Sequence, residues 1–292
     1  MMRAVRAHAI AVLLLFLNAF IWGGTFVVVR DGIASVSPEL FMLLRFTLAS
    51  LLMAPFALAS RRLDRRAIRS GAILGLFLFL GFWLQTRGLL STSPLRSAFL
   101  TALSVVFVPL LDMLFRGAKI GLEAGFACLL ALGGTLVLVG GFEAKFTLGD
   151  LLTVLCSLAF AVYLVLASER SRASAPTALT FVQLVVVALL SAPLAASVAT
   201  GPIDRAAVVA ILITALLATS AAFFILMWAQ AHASALEVAI ILSLEPVAAA
   251  LVSYVTGDEP ITAHAIIGGT MIVGATILSQ IEPTTRDSGD AV

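Results

Sequence analysis

Ten long apolar blocks follow one another along the chain, at roughly 8–29, 38–59, 70–90, 95–115, 121–140, 148–168, 177–198, 206–228, 234–256 and 262–281, with short polar stretches between them. A bilayer span takes about 20 mostly apolar residues, which each block supplies. All ten are predicted to be helices, because lipid offers no partner to the backbone groups of an open strand. Pro38 and Pro176 stand at block starts, where a missing N–H costs least, and Pro55 and Pro193 stand near block ends. Gly257-Asp258-Glu259-Pro260 separates the last two blocks.

Composition sharpens this pattern into a class. Of 292 residues, 61% are apolar and 12% charged, against about 45–50% and about 25% in a soluble domain. Extramembrane domains, dinucleotide folds and nucleic-acid modules are excluded for lack of polar material, so no nucleic-acid partner is expected despite the net charge of +2. Cys128 and Cys156 lie inside apolar blocks, where they read as packing residues rather than a disulfide framework. Arg3 and Arg6 precede an apolar run that mimics a signal peptide. The run continues past Trp22 to Val29 without a clear cleavage site, and is read as a retained first span.

The basic residues report orientation. With the N-terminus placed inside, Arg3, Arg6, Arg61, Arg62, Arg65, Arg66, Arg69, Arg116, Lys119, Arg170, Arg172 and Arg286 fall on that side, against Arg30, Arg87, Arg96, Lys145 and Arg205 on the other. The positive-inside bias then puts both termini in the cytoplasm of a bacterial-type inner membrane, which an even number of spans allows.

An internal repeat organises the chain. A shift of 138 superposes Pro38 on Pro176, Pro55 on Pro193, Ala54 on Ala192 and Ala57 on Ala195. A shift of 141 superposes Ala98 on Ala239, Leu103 on Leu244, Gly133 on Gly274 and Thr135 on Thr276. The expected fold is all-α and integral to the membrane: ten transmembrane helices as two five-helix repeats, residues 1–145 and 146–292 with a short C-terminal tail. Because five is odd, the second repeat enters from the opposite side. That is the inverted-repeat plan of secondary carriers, in which exchanging the conformations of the halves exchanges the open face.

Short motifs add a family resemblance. They are Trp22-Gly23-Gly24-Thr25-Phe26 in the first block, Pro38 followed by Arg45-Phe46 in the second, and Leu244-Glu245-Pro246-Val247 in the ninth, with Gly257-Asp258-Glu259 after it. In this order the chain resembles the EamA-type branch of the drug/metabolite transporter superfamily from about residue 10 to 281. The resemblance implies a ten-helix carrier, commonly an exporter of amino acids or other small metabolites, with a central cavity. In the first half the proline motif is replaced by Leu103-Ser104-Val105-Val106, so a helix-bending device is expected in the second half alone.

Polar groups inside spans are costly and face cavities or partners. Asn18, Trp22 and Thr25 share a helical face, and their repeat mates are Cys156, Phe160 and Tyr163. Phe79, Trp83 and Arg87 line up likewise, with mates Ser220, Phe224 and Trp228. Ser97, Thr101 and Ser104 form a hydroxyl stripe, and Ser104 corresponds to Glu245. Single aromatic stripes read equally as core packing. Stripes repeated in both halves predict an aromatic-walled, mildly polar pocket for a small amphipathic molecule, whose ammonium group an aromatic face would hold. The candidate substrate-binding set is Asn18, Trp22, Phe79, Trp83, Thr101, Ser104, Phe160, Tyr163, Phe224 and Trp228.

Glu245 lies near the midplane, with Pro246 removing the ladder bond to Leu242. It is a candidate for proton coupling or for pairing with a substrate amine, and equally for a bond to a neighbouring helix. Arg45 reads as structural, holding the outer end through Glu39 or a backbone carbonyl. Arg87 and Arg96 read as outer-side charges or interfacial anchors. Asp112 and Arg116 are spaced to pair. His8, His232 and His264 show no metal-ligand spacing; no metal, cofactor or hydrolytic motif is expected, and oligomeric state is open. Gly71 and Gly75, and Gly121 and Gly125, allow close helix packing. The expected function is therefore a secondary active carrier of a small metabolite, with amino acids and export favoured and the lipid bilayer as its environment. A carrier of phosphorylated or nucleotide sugars and an uncoupled channel or lipid flippase are the alternatives, and an enzyme is not expected.

Overall fold

The computed structural model describes residues 2–117, 121–138, 146–198, 202–256 and 262–281, and these contain helices and no strand. The helices are α1 (Met2–Gly32), α2 (Pro38–Ala59), α3 (Arg65–Gly88), α4 (Pro94–Ala102), α5 (Ser104–Arg116), α6 (Leu122–Leu138), α7 (Leu148–Ala173), α8 (Pro176–Ala196), α9 (Arg205–Ile213), α10 (Ala222–Gln230), α11 (Ala235–Leu242), α12 (Glu245–Thr256) and α13 (Ala263–Ile281). A π-helical turn, Thr214–Ala221, joins α9 to α10. Counting α4 with α5, α9 with α10 and α11 with α12, eight stretches of 21 to 28 residues are long and apolar enough to cross a bilayer. The blocks expected at 121–140 and 262–281 form shorter apolar helices. The loop at 257–260 and the charges Lys119, Lys145 and Arg286 lie outside the described residues.

Capping explains where the helices start. Ser37, Asp64, Ser93, Thr147, Asp204 and Ser234 each accept the N–H of the third residue after them, and Thr147 and Ser234 complete reciprocal boxes with Asp150 and Glu237. Polarity is turned inside out relative to a soluble protein. Asn18, Gln183, Thr153, Thr219 and Gln230 have no exposed surface, whereas Leu13, Leu51, Phe56, Leu114, Leu129, Leu189 and Val255 face outward. Apolar surface this extensive needs lipid around it. The chain is a multi-pass membrane protein.

Helix contacts come in matched sets. α2 packs on α8, and α6 on α13; α3 packs on α7 and α8, while the α9–α10 stretch packs on α1 and α2; α11 and α12 lie along α1, and α4 and α5 along α7. Glycine sets the closest approaches. A Cβ on Gly71 or Gly75 would enter Val182 or Val186 of α8, so this pair serves packing within the chain, while Gly121 meets nothing.

The interruption expected only in the second half occurs in both. α11 gives way to α12 at Ser243 and Leu244, next to Pro246. α4 gives way to α5 at Leu103, the repeat mate of Leu244, with no proline. There Leu103 N donates to Leu100 O and Val106 N to Leu103 O, so the turn tightens to i−3 bonding instead of losing a donor.

Candidate functional site

Between these helices lies a cavity of about 740 Å³, counting the space at its mouth. Its lining follows the repeat: Trp22 with Phe160, Thr25 with Tyr163 and Phe26 with Leu164 at a shift of 138, and Phe82 with Phe223, Gln85 with Leu226, Thr101 with Leu242 and Ser104 with Glu245 at a shift of 141. Val29, Arg45, Leu89 and Ala102 complete it. The aromatic rings form one interlocked group. Phe82 meets Phe46, Phe160 and Phe223 edge-on at centroid distances of 5.1, 5.4 and 5.8 Å, and Phe223 meets Trp22 at 5.3 Å and Tyr163 at 6.2 Å. Such pairs favour tilted and edge-on geometry, which leaves ring faces and edges as a preset wall.

Of the residues expected to bind substrate, Trp22, Thr101, Ser104, Phe160 and Tyr163 line this cavity. The others are placed elsewhere. Asn18 is fully buried and donates Nδ2 to Ala222 O at 2.8 Å. Phe79 packs in the core, Phe224 is more than a third exposed, and Trp228 stacks on His232 at 4.5 Å. Trp83 donates Nε1 to Glu39 at 3.1 Å, where Arg87 Nε also lands at 2.5 Å. Glu39 therefore serves Arg87 and Trp83, not Arg45. Arg96 pairs with Asp150 at 2.8 Å and Arg116 with Asp112 at 3.0 Å. Phe82, Gln85, Phe223 and Leu226 were not singled out from the sequence, although each pair is related by the same shift as Ser104 and Glu245.

Two charged groups reach the cavity. Arg45 is almost wholly buried; its Nε donates to Thr219 Oγ1 at 2.7 Å, its Nη2 to Ala218 O at 3.4 Å, and its guanidinium lies 4.7 Å from the Phe82 ring centre and 5.3 Å from that of Phe46. Its repeat mate Gln183 instead accepts from Tyr163 Oη at 2.8 Å. Glu245 is 8% exposed, and among the described residues its carboxyl has no hydrogen bond or ion pair. A buried carboxyl with no protein partner, opening on a cavity, is available to a ligand or a proton. Gln85 adds a donor already turned to Thr101 Oγ1 at 3.1 Å. Among the described residues no cluster of His, Cys, Asp or Glu could hold a metal.

The two sequence motifs meet at this carboxyl. A Cβ on Gly23 would fall on the backbone oxygen of Glu245 and within 2.6 Å of Ala248 Cβ, so the glycine lets α1 touch the start of α12. The π-helical turn has a sequence signature as well. The caps Asp204 and Ser234 are one residue further apart than their mates Asp64 and Ser93. The extra residue widens α9–α10 locally, as π turns do, while α3 stays regular.

A family model for the EamA-like transporter family matches residues 9–140 and again 147–280. This chain belongs to the EamA-like transporter family. An uncharacterized transporter of Archaeoglobus fulgidus is 35% identical over 268 residues, covering 91% of this chain and 84% of that one. A second uncharacterized transporter of the same organism is 26% identical over 285 residues, covering 91% and 96%. A solved crystal structure superposes with a TM-score of 0.76 over 94% of this chain and 97% of its own, at 20% identity, a likeness of fold alone. The family and the relatives' names make this EamA-like chain a transporter rather than an enzyme.

Proposed function

We propose that the protein is a secondary carrier that moves a small amphipathic metabolite by alternating access, with two oppositely threaded halves of five helices each. The observation that carries this reading is the cavity wall, built in repeat-related pairs from both halves around one buried carboxyl that has no partner among the described residues. The matched helix contacts support the inverted threading, since the main contacts between the halves, α1 with α11 and α12 and α7 with α4 and α5, are repeat-related. Two conformations of similar energy are the natural consequence of such a plan.

The walls favour a molecule with an apolar or aromatic body. Glu245 and the ring faces suit an ammonium group, and Arg45 suits a carboxylate, which puts amino acids first. Export, a bacterial-type inner membrane and cytoplasmic termini complete the reading, the last from the arginine-rich 61–69 segment and from Arg170 and Arg172. The test is counterflow in proteoliposomes with labelled amino acids, amines and sugar phosphates, with Phe223→Ala as control. Exchange of amino acids or amines that fails in the control supports the reading. Exchange of sugar phosphates alone overturns the substrate class, and flux without counter-transport overturns the carrier mechanism.

A further inference from the structure

Away from the central cavity, a second cleft of about 1220 Å³, counting the space at its mouth, opens at the end of the bundle where α2 and α7 finish and α3 and α8 begin. Arg61, Arg62 and Asp64 line it from the turn between α2 and α3, and Arg172, Ser174 and the start of α8 line it from the turn between α7 and α8. Each half of the chain thus supplies one wall.

Three guanidinium groups share this cleft with one carboxylate, and that carboxylate is engaged. Asp64 Oδ1 accepts the N–H of Ala67 at 2.7 Å as the cap of α3. Arg87, Arg96 and Arg116 each hold an acidic partner, but among the described residues Arg61, Arg62 and Arg172 hold none. The start of α8 adds to the positive side. At the repeat-related start of α2, Ser37 accepts the N–H of Leu40; the mate of Ser37 is Ala175, and α8 has no side-chain cap. The positive end of its dipole is therefore left without a side-chain acceptor where Ala175 and Pro176 line the cleft. Beside it Ser174 Oγ is shielded from solvent and makes no hydrogen bond among the described residues.

The fold does not require these arginines. Arg61 follows the cap of α2 with φ at 51°, in the left-handed region where glycine is unstrained and a longer side chain is not. The shift of 138 pairs Arg172 with Ala34, and Arg61 and Arg62 with Ala199 and Thr200, so the equivalent positions of the other half carry no charge. The surface next to the cleft is apolar. Phe56 and Leu58 near the end of α2 are each 63% exposed, and Ile68 in the first turn of α3 is 50% exposed. Charged cleft and lipid-facing side chains meet here as headgroups and acyl chains do at a bilayer border.

We infer that this cleft binds a phosphate anion, supplied by the headgroup of an anionic phospholipid whose acyl chains run along Phe56, Leu58 and Ile68. Guanidinium groups grip phosphate oxygens through paired N–H bonds, and basic pockets between spans take anionic headgroups. Soluble phosphate would satisfy the same donors, and the experiment separates the two sources. The inference does not depend on what the central cavity carries.

The full-length protein, purified in a neutral detergent, is titrated at constant ionic strength with dioctanoyl phosphatidylglycerol, dioctanoyl phosphatidylcholine or inorganic phosphate. The unfolding midpoint is followed, and retained lipid is counted by native mass spectrometry. Phosphatidylglycerol is expected to raise the midpoint, as a ligand of the folded state does, and to stay bound, while phosphatidylcholine does neither. Its apparent affinity is expected to fall about fivefold in each of Arg61→Gly, Arg62→Ala and Arg172→Ala. A double variant, Arg65→Ala with Arg66→Ala, removes charge from the same segment outside the cleft and is expected to keep the wild-type affinity. Arg61→Gly also relieves the left-handed backbone, so its midpoint without lipid is expected to hold or rise while its affinity falls; a purely structural arginine would show the reverse. If inorganic phosphate protects as well as phosphatidylglycerol does, and the same three substitutions abolish that protection, the site stands with soluble phosphate as its source. If neither anion raises the wild-type midpoint, or if the double variant loses as much affinity as the cleft variants, the site is overturned. Should one cleft variant fail to fold, the other two against the double variant decide the matter.

Discussion

The indole of Trp22 donates Nε1 to the carbonyl of Ala218, 196 residues further along the chain, at 2.8 Å. The same oxygen takes Arg45 Nη2, and one helical turn on, Ala222 O takes Asn18. The repeat mates of Asn18 and Trp22 are Cys156 and Phe160, which offer no strong donor. The donors of the first half and the π-helical turn of the second thus belong together. Trp22→Phe keeps the ring beside Phe223 and removes the donor. It is expected to cost about 1 kcal/mol of unfolding free energy, the scale of a buried interhelical bond. An unchanged unfolding midpoint in detergent would show that the bond contributes nothing.

Deleting Ala215 tests the turn directly. The deletion makes the spacing of Asp204 and Ser234 equal to that of their mates, so α9 and α10 are expected to merge into one regular helix with Phe223 still on the cavity wall. The protein is expected to stay folded and membrane-inserted while transport falls at least about tenfold, because Arg45 and Trp22 lose their acceptors and the cavity geometry with them. Retained transport in counterflow would show that the widened turn is dispensable.

Arg45 is held by Thr219 on one side and by two rings on the other. Lysine keeps the charge but has neither the planar fork nor the stacking face. Arg45→Lys is therefore expected to behave like Arg45→Gln, with transport lost and insertion normal. If Arg45→Lys transports like the wild type, charge alone is what the cavity needs.

How much of this was legible depends on the kind of signal. The starts of α2 and α8 fall at the predicted blocks because Pro38 and Pro176 mark them, whereas α3 starts at Arg65, ahead of the block predicted from residue 70, because the Asp64 cap extends it into the arginine-rich segment. The family model matches the chain twice, at 9–140 and 147–280, where prolines and glycines recur in register. The faces were not legible. A span bordered by lipid and protein is apolar all round, so α3 offers Phe79, Phe82 and Trp83 as equivalent aromatic positions, and only packing turns Phe82 inward and sends Trp83 to Glu39. Likewise nothing local in Thr214–Ala221 announces a π turn; its mark is the one-residue difference in spacing between two pairs of caps. The partner of Arg45 was open between Glu39 and a carbonyl because several chain orders could satisfy it.

Glu245 presents its carboxyl to the cavity without a partner among the described residues. Glu245→Gln keeps the shape and removes the exchangeable proton. It is expected to abolish the pH dependence of transport while leaving insertion intact. A pH profile unchanged from the wild type, measured in proteoliposomes with both faces at the same pH, would remove the coupling role and leave the carboxyl as a substrate contact.

Glycine at position 23 is where the two family motifs touch, and its value is steric. An added methyl group there would strike the backbone oxygen of Glu245, the Cβ of Ala248 and the backbone of Ala249. Backbone cannot swing aside as a side chain can, so α1 and α12 must separate or tilt. Gly274 in α13 meets nothing within 4 Å of such a methyl, and alanine there removes only the conformational freedom of a helical glycine. Gly23→Ala is expected to destabilise by about 1–3 kcal/mol, as overpacking does, and to lower transport by displacing Glu245. Gly274→Ala is expected to stabilise by up to about 1 kcal/mol with transport unchanged. Thermal unfolding and counterflow on the two variants side by side read both effects. The opposite signs are the point of the comparison, since equal effects would mean that the contact between α1 and α12 is looser than the distances at Gly23 require.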